Sequence, residues 1–279
     1  MGGYYWIASY PKSGNTWLRL ALWSLAHDGA VPDLGDDRLN QVPICCSRME
    51  FDNELAVDSS DLPHEQIAAL RPRFYEAQAA RSSEPLLRKV HDGWTLTPAG
   101  EPLFPPHVTL GTVYLVRDPR DIVPSLAHHA GITIDDQVAS MERPAIILAG
   151  QAQGITMQLP QCLLNWSAHV ASWLDAPGRP ALVQRYEDLL GDPVAALTRI
   201  AAYLDLPATA ALIDRAVAST RFDRLQAAEA RTGFFERPRH ASTFFRRGRA
   251  GGWRTSLTRD QVGRIEAMHG AMMARMGYL

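Results

Sequence analysis

Residues 10–17 read Tyr-Pro-Lys-Ser-Gly-Asn-Thr-Trp, between an apolar run from Tyr4 to Ala8 and a periodic apolar segment. An extended run, a turn of small residues and a helix start form a natural anion site, because backbone N–H groups converge at the turn. Ser13, Gly14 and Asn15 keep the turn open, Thr16 adds a hydroxyl and Lys12 adds a charge. Yet Lys12 precedes the glycine, so this is not the G-x-x-x-x-G-K-[ST] of nucleoside triphosphatases. The same residues also suit a plain βα turn with a solvated lysine.

Three more groups of residues have chemical potential. In Tyr114-Leu-Val-Arg-Asp-Pro-Arg-Asp121, Asp118 reads as a helix N-cap and Pro119 as the first helical residue. Arg117 then stands at a strand's carboxyl end with Ser125 about two turns into the helix, a setting for a second phosphate. An ion pair from Arg117 to Asp118 or Asp121 is the competing account. Lys89-Val90-His91 puts lysine and histidine on one face of a strand, where an imidazole can act as general base near neutral pH. A structural histidine fits that segment as well. Arg246, Arg247, Arg249 and Arg254 cluster among glycines, with Phe244, Phe245 and Trp253 interleaved. Glycines permit a backbone wrapped around an anion, and the aromatics argue against a merely solvated loop. Tyr186 closes another strand-like run, where a packed aromatic is the simpler explanation.

Elements must hold these groups together. Strand-like runs at 4–9, 85–91, 108–116 and 179–186 precede helical patterns at 15–27, from Asp118 onward, and at 192–206. Alternating β and α segments predict an α/β fold: a single domain over 1–279 with a mostly parallel sheet flanked by helices. In such sheets ligands sit off the carboxyl ends of the strands, where the unusual residues fall. Residues 28–62, 130–160 and 226–252 lack clear pattern and are expected to be long loops, lids or short irregular helices.

Composition narrows the class. With 46% hydrophobic and 21% charged residues and a net charge of −2, the chain fits a globular protein and not a general nucleic-acid binder. Three cysteines without C-x-x-C spacing favour a reducing compartment over a disulfide framework or zinc site. No membrane-length apolar stretch or signal pattern is evident, and Trp6 stands where a myristoylation motif wants Ser or Thr. A cytoplasmic protein is expected, without membrane or nucleic-acid partners.

Taken in order, these segments resemble the cytosolic-type sulfotransferases that use 3′-phosphoadenosine 5′-phosphosulfate (PAPS). Tyr-Pro-Lys-Ser-Gly-Asn-Thr-Trp resembles the family's 5′-phosphosulfate loop, and residues 114–129 its 3′-phosphate segment. Phe244–Thr258 resembles the R-K-G-x-x-G-D-W-K motif, Lys-Val-His the K-T-H motif, and Arg185–Leu189 the Y-E-D strand end. Residues 218–225 resemble the T-S-F element, so the likeness runs from residue 4 to about 258. It implies a P-loop-like nucleotide-binding fold and an EC 2.8.2 transferase with PAP as product and no metal.

The resemblance also implies roles. Lys12 would stabilise charge on the bridging oxygen, and Ser13, Gly14, Asn15, Thr16 and Trp17 would cradle the 5′ side of the nucleotide. Arg117, Ser125, Arg246, Arg247 and Gly248 would hold the 3′-phosphate, and Tyr186, Thr220 and Phe222 would contact the adenine nucleotide. His91 would take the acceptor's proton, with Lys89 assisting at the transferring sulfonyl. Three residues depart from the pattern: Asn15 replaces a frequent threonine, Gly252 the aspartate of G-D-W, and Val90 a hydroxyl residue. The family's dimer motif is not evident after Thr258, which leaves oligomeric state open.

The lysine's position then has a physical rationale. A triphosphate terminus carries enough charge to require Mg²⁺, whereas a singly charged sulfonate terminus can be met by lysine, arginine and backbone dipoles alone. A P-loop kinase and a non-catalytic nucleotide-binding module are the alternatives. The missing G-K-[ST] speaks against the first and the pairing of Lys12 with His91 against the second. The acceptor is expected to be a small molecule bearing a hydroxyl or amine. Its walls would come from 28–62, 92–100, 130–160 and 226–245, including Trp94, Ile132, Ile134, Phe234 and Phe235.

Overall fold

The computed structural model describes residues 2–35, 42–150, 156–176, 178 and 181–279. Parts of two unpatterned segments (36–41 and 151–155), and the first two residues of the 179–186 run, lie outside the described residues.

A four-stranded sheet has the order β2-β1-β3-β6, formed by β1 (Tyr4–Ser9), β2 (Leu86–Val90), β3 (Thr109–Val116) and β6 (Leu182–Arg185). β1 and β2 are parallel, with Tyr4 opposite Leu86 and Ala8 opposite Val90. All six β1 residues are buried, as a strand covered on both faces requires. Its alternate residues Tyr4 and Trp6 stack with centroids 4.3 Å apart. A short antiparallel pair joins β4 (Ile147–Leu148) and β5 (Gln161–Cys162).

Helices fill the connections: α1 (Asn15–Ala26), α2 (Arg48–Leu55), α3 (His64–Arg81), α4 (Pro119–Ala130), α5 (Ile134–Met141) and α6 (Trp166–Leu174). Beyond β6 come α7 (Tyr186–Gly191), α8 (Pro193–Tyr203), α9 (Ala210–Ser219), α10 (Phe222–Thr232) and α11 (Arg259–Arg275). This is the expected α/β architecture, a central parallel sheet flanked by helices. Asp118 caps α4 by accepting the Arg120 N–H, with Pro119 first in the helix, as its sequence indicates. Thr258 and Gln261 form a reciprocal capping box at α11. Within the unpatterned segments the described residues hold α2, α5 and part of α10.

The chain divides into two compact units. One comprises Met1–Tyr10, Val42–Tyr114 and Met141–Val183, with an aromatic core in which Trp6, Tyr75 and Phe104 meet at 5.0–5.7 Å. The other comprises Pro11–Gln41, Leu115–Ser140 and Gln184–Leu279, with a cluster of Leu20, Leu34, Leu225, Ala228, Phe234 and Phe245. Among the described residues no helix is long and apolar enough to cross a membrane.

Candidate functional site

The loop after β1 is built from unusual backbone. Lys12 has φ +70° and Gly14 has φ +100°. Left-handed backbone is uncommon for a residue with a Cβ, and such strain concentrates at functional loops. At Gly14 a side chain would be strained and would force a shift, since a Cβ would lie 2.8 Å from the Tyr186 ring. The loop delivers the chain into α1 with Gly14 as N-cap, and neither a side-chain cap nor an acidic residue serves its first turn. The N–H groups and partial positive charge of that helix end therefore point to an external anion. Ser13 Oγ, buried, has no hydrogen-bond partner among the described residues.

Second-turn packing braces this end. Arg19 pairs with Glu236 at 2.6 Å and donates through Nε to Asn15 Oδ1 at 3.1 Å. Thr16 Oγ1 donates to Glu236 at 3.2 Å, and Trp17 Nε1 to the Thr220 carbonyl at 3.0 Å. Asn15, Thr16 and Trp17 are thus fixed by side-chain contacts. The Lys12 ammonium sits 4.4 Å from the centre of the Phe244 ring, a cation–π contact.

Arg117, just beyond β3, pairs with neither Asp118 nor Asp121. It donates to the carbonyls of Lys12 and Arg249, each at 3.1 Å, and its guanidinium lies 4.2 Å from the Tyr186 ring centre. Asp118 is taken by Arg120 at 2.8 Å. Arg117 Nε, buried, lacks a hydrogen-bond partner among the described residues. Arg246 donates to the Pro124 carbonyl at 3.3 Å, and burial followed by the charges of Arg247 and Arg117 pushes its acidity up. Arg247 holds Ser256 Oγ at 2.7 Å. Three guanidiniums gather without an ion pair to any carboxylate among the described residues. A multiply charged anion would complete such a cluster.

Asp121 anchors the glycine-rich loop, accepting the Gly251 N–H at 2.6 Å and the Trp253 N–H at 2.8 Å. Its carboxylate thereby serves a segment in which Gly252 stands where the family pattern has aspartate. The competing account of an ion pair from Arg117 to Asp118 or Asp121 is therefore not what the structure shows, and a contact across 130 residues leaves no local trace in the sequence. Gly248 has φ +54°, and a Cβ there would collide with Phe222, the first residue of α10. Thr220 is buried with its hydroxyl on the Ala216 carbonyl, and Ser125 is half-buried on α4. Burial, then the charges of Arg246 and Lys12, hold the His128 imidazole below its ordinary pKa.

The unit containing β2 carries the remaining two. Lys89 lies in β2, its N–H donating to the Pro43 carbonyl and its carbonyl accepting the Cys45 N–H, each at 2.9 Å. His91 follows the strand, and its Nδ1 meets the Ser9 carbonyl at 2.8 Å. A carbonyl only accepts, so Nδ1 carries the proton and Nε2 the basic lone pair. Among the described residues no group of three or more His, Cys, Asp or Glu could hold a metal. Phe234, expected in the acceptor wall, belongs to an apolar core cluster, whereas Ile132 and Phe235 are exposed.

Comparison with known proteins follows the geometry. The sulfotransferase domain profile matches residues 4–277. Flavonol 3-sulfotransferase of Flaveria bidentis is 22% identical, over 94% of this chain and 79% of its own. Sulfotransferase 1B1 of Mus musculus is 23% identical, over 96% and 82%. Among solved structures, retinol dehydratase with androsterone and PAP superposes with a TM-score of 0.62 at 21% identity, covering 97% of this chain and 80% of that one. A mouse sulfotransferase complexed with PAP gives 0.60 at 18%, covering 97% and 84%.

Proposed function

We propose, on the premise that the chain belongs to the sulfotransferase family, that it moves a sulfonate from PAPS to a hydroxyl or amine of a small-molecule acceptor. One observation carries the donor assignment: the uncapped start of α1 and the cluster of Arg117, Arg246 and Arg247 offer two anion sites in one unit. PAPS has two such ends, a 5′-phosphosulfate and a 3′-phosphate. The unpartnered Ser13 Oγ and Arg117 Nε fit a ligand of that kind. Relatives solved with PAP support the same reading.

The residues then divide the work. Backbone N–H groups of Ser13, Gly14, Asn15, Thr16 and Trp17 receive the 5′ anion. Arg117, Ser125, Arg246, Arg247 and Gly248 receive the 3′-phosphate, with Tyr186, Thr220 and Phe222 on the adenine side. When bound, the nucleotide supplies the sulfonyl group and a leaving phosphate oxygen. Lys12 places its ammonium where negative charge grows on that oxygen, a preorganised charge acting without a metal. His91 takes the acceptor's proton at Nε2, since Nδ1–H is committed to Ser9. Lys89 adds positive charge at the transferring group. We read residues 1–279 as one functional domain, in keeping with the span of the family match, and the cytoplasm as its compartment.

Turnover of sulfur-labelled PAPS on a panel of phenols, alcohols and amines, with and without EDTA, tests the reading. Transfer that survives EDTA is the expected result. Loss of transfer under EDTA with recovery on Mg²⁺ would favour a kinase-like site, and binding of the bisphosphate without any turnover would favour a non-catalytic module.

A further inference from the structure

His91 and Asp92, the two residues after β2, are gripped by buried polar groups of the same unit. The Asp92 carboxylate, fully buried, takes two bonds from Arg71 of α3 at 2.9 and 2.7 Å. Its carbonyl accepts from Trp173 Nε1 of α6 at 3.0 Å. The His91 carbonyl accepts from Nε2 of His169, also on α6, at 3.1 Å. His169 is fully buried, and its Nδ1 lies 2.7 Å from the Tyr114 hydroxyl.

These contacts fix a tautomer. A carbonyl cannot donate, so His169 Nε2 carries the proton and Nδ1 accepts from Tyr114. Burial keeps the ring neutral by pulling its pKa to about 4. His91 is thereby tied at two points, its carbonyl by His169 and its ring Nδ1 by the Ser9 carbonyl. A buried ion pair such as Arg71–Asp92 is seldom needed for stability, because well-packed apolar side chains often serve as well or better. Its placement on the residue after His91 suits a geometric task.

We propose that His169 is a positioning residue for the base: it acts through the His91 carbonyl, Tyr114 holds its Nδ1, and the Arg71–Asp92 pair anchors the next residue. The proposal rests on His91 being the general base. It assigns His169 no contact with substrate or nucleotide. Displacing a reacting group by about 1 Å costs on the order of 10²-fold in rate, which sets the scale of the expected effect.

The test uses His91→Ala, His169→Leu, His169→Gln, Tyr114→Phe and the double variant His91→Ala/His169→Leu. Acceptors are phenols and alcohols whose hydroxyl pKa runs from below the assay pH to far above it. An acceptor already ionised needs no base, so a positioning defect should vanish there. We expect His169→Leu to lower kcat about 10–100-fold on un-ionised acceptors and hardly at all on an ionised phenol, with KM and bisphosphate affinity unchanged. The double variant should be no slower than His91→Ala, and His169→Gln, whose amide can still donate, should recover much of the rate. Equal slowing on ionised and un-ionised acceptors, or losses that multiply in the double variant, would overturn the proposal. Should thermal melting show His169→Leu misfolded, Tyr114→Phe decides by the same acceptor series, with a smaller loss of the same pattern expected and a uniform loss counting against. If His91→Ala itself is indifferent to acceptor acidity, the base assignment fails, a result distinct from failure of the positioning role.

Discussion

Asp121, in the first turn of α4, holds the Gly251 N–H at 2.6 Å through one carboxylate oxygen and the Trp253 N–H at 2.8 Å through the other. The loop that carries Arg246 and Arg247 is thus tied to the helix that follows Arg117. Asp121→Ala leaves two amides without their acceptor, a loss of about 1–3 kcal/mol each where they remain shielded from water. Calorimetry with 3′,5′-adenosine bisphosphate should show affinity reduced about 10-fold or more, with Asp121→Asn intermediate. Unchanged affinity in Asp121→Ala would separate the loop from the 3′-phosphate.

Nucleotide preference follows from the three guanidiniums. Charge-assisted hydrogen bonds contribute about 1.5–3 kcal/mol each, so the bisphosphate should bind at least 10-fold more tightly than AMP or ATP. Competitive titration checks this, and equal binding of ATP and the bisphosphate would refute the donor assignment. Arg117→Ala should narrow the preference by weakening the bisphosphate alone, because the 3′-phosphate is what sets it apart from AMP.

His91→Ala and Lys12→Ala should separate proton transfer from charge stabilisation. His91→Ala is expected to keep bisphosphate affinity and lose about 10²–10⁴-fold in single-turnover rate on an un-ionised acceptor. Lys12→Ala should weaken both binding and rate, since in the proposed site its ammonium would meet the ground-state anion and the charge on the leaving oxygen. Wild-type rates in His91→Ala would redirect attention to His128 and His129 on α4.

Gly14 and Gly248 carry left-handed backbone, and a Cβ at either meets the ring of Tyr186 or Phe222. Alanine at either position should lower the melting temperature and weaken the bisphosphate, while alanine at exposed Gly191, where a Cβ meets nothing, should do neither. Paired melting curves and titrations on the three variants check it.

Stability should fall with acid in a defined window. His169 and His269 are both drawn by burial from 6.5 to about 4. Between those values the unfolded chain binds more protons than the folded one, so stability is full above about pH 6.5 and is lost as pH falls towards 4. At about 1.36 kcal/mol per pKa unit, the contribution from His169 approaches about 3 kcal/mol. Urea midpoints from pH 7 to 4 should drop less steeply in His169→Gln than in the wild type, and parallel profiles would exclude the assignment.

How far the sequence reveals all this depends on the range of each contact. Gly14, Asp118 with Pro119, and the apolar run of β1 are local features, and their turn, cap and strand stand where residue type places them. The parallel sheet follows from the alternation of such runs. α3 has no equivalent signature: its apolar residues lack a clean stripe, Pro72 interrupts it, and its start at His64 has no capping side chain. The environment of His91 is equally hidden, because Ser9 and His169 reach it from 82 and 78 residues away. A lysine and a histidine two apart at a strand end suit either a base or a structural histidine, and nothing local indicates what holds the ring.

The Arg71–Asp92 pair bears on how the sheet finds its alignment. β1 and β2 run parallel with Ile7 opposite Lys89 and Ala8 opposite Val90. A slip of one residue would exchange the two faces of β2 and shift Asp92 by about 3.3 Å along the strand direction. Arg71, 2% exposed, would then keep its charge in the core without its carboxylate. Such a broken pair costs about 3–5 kcal/mol, comparable to emptying one large apolar site in a core. A shifted alignment would therefore carry an electrostatic cost in addition to its lost apolar burial.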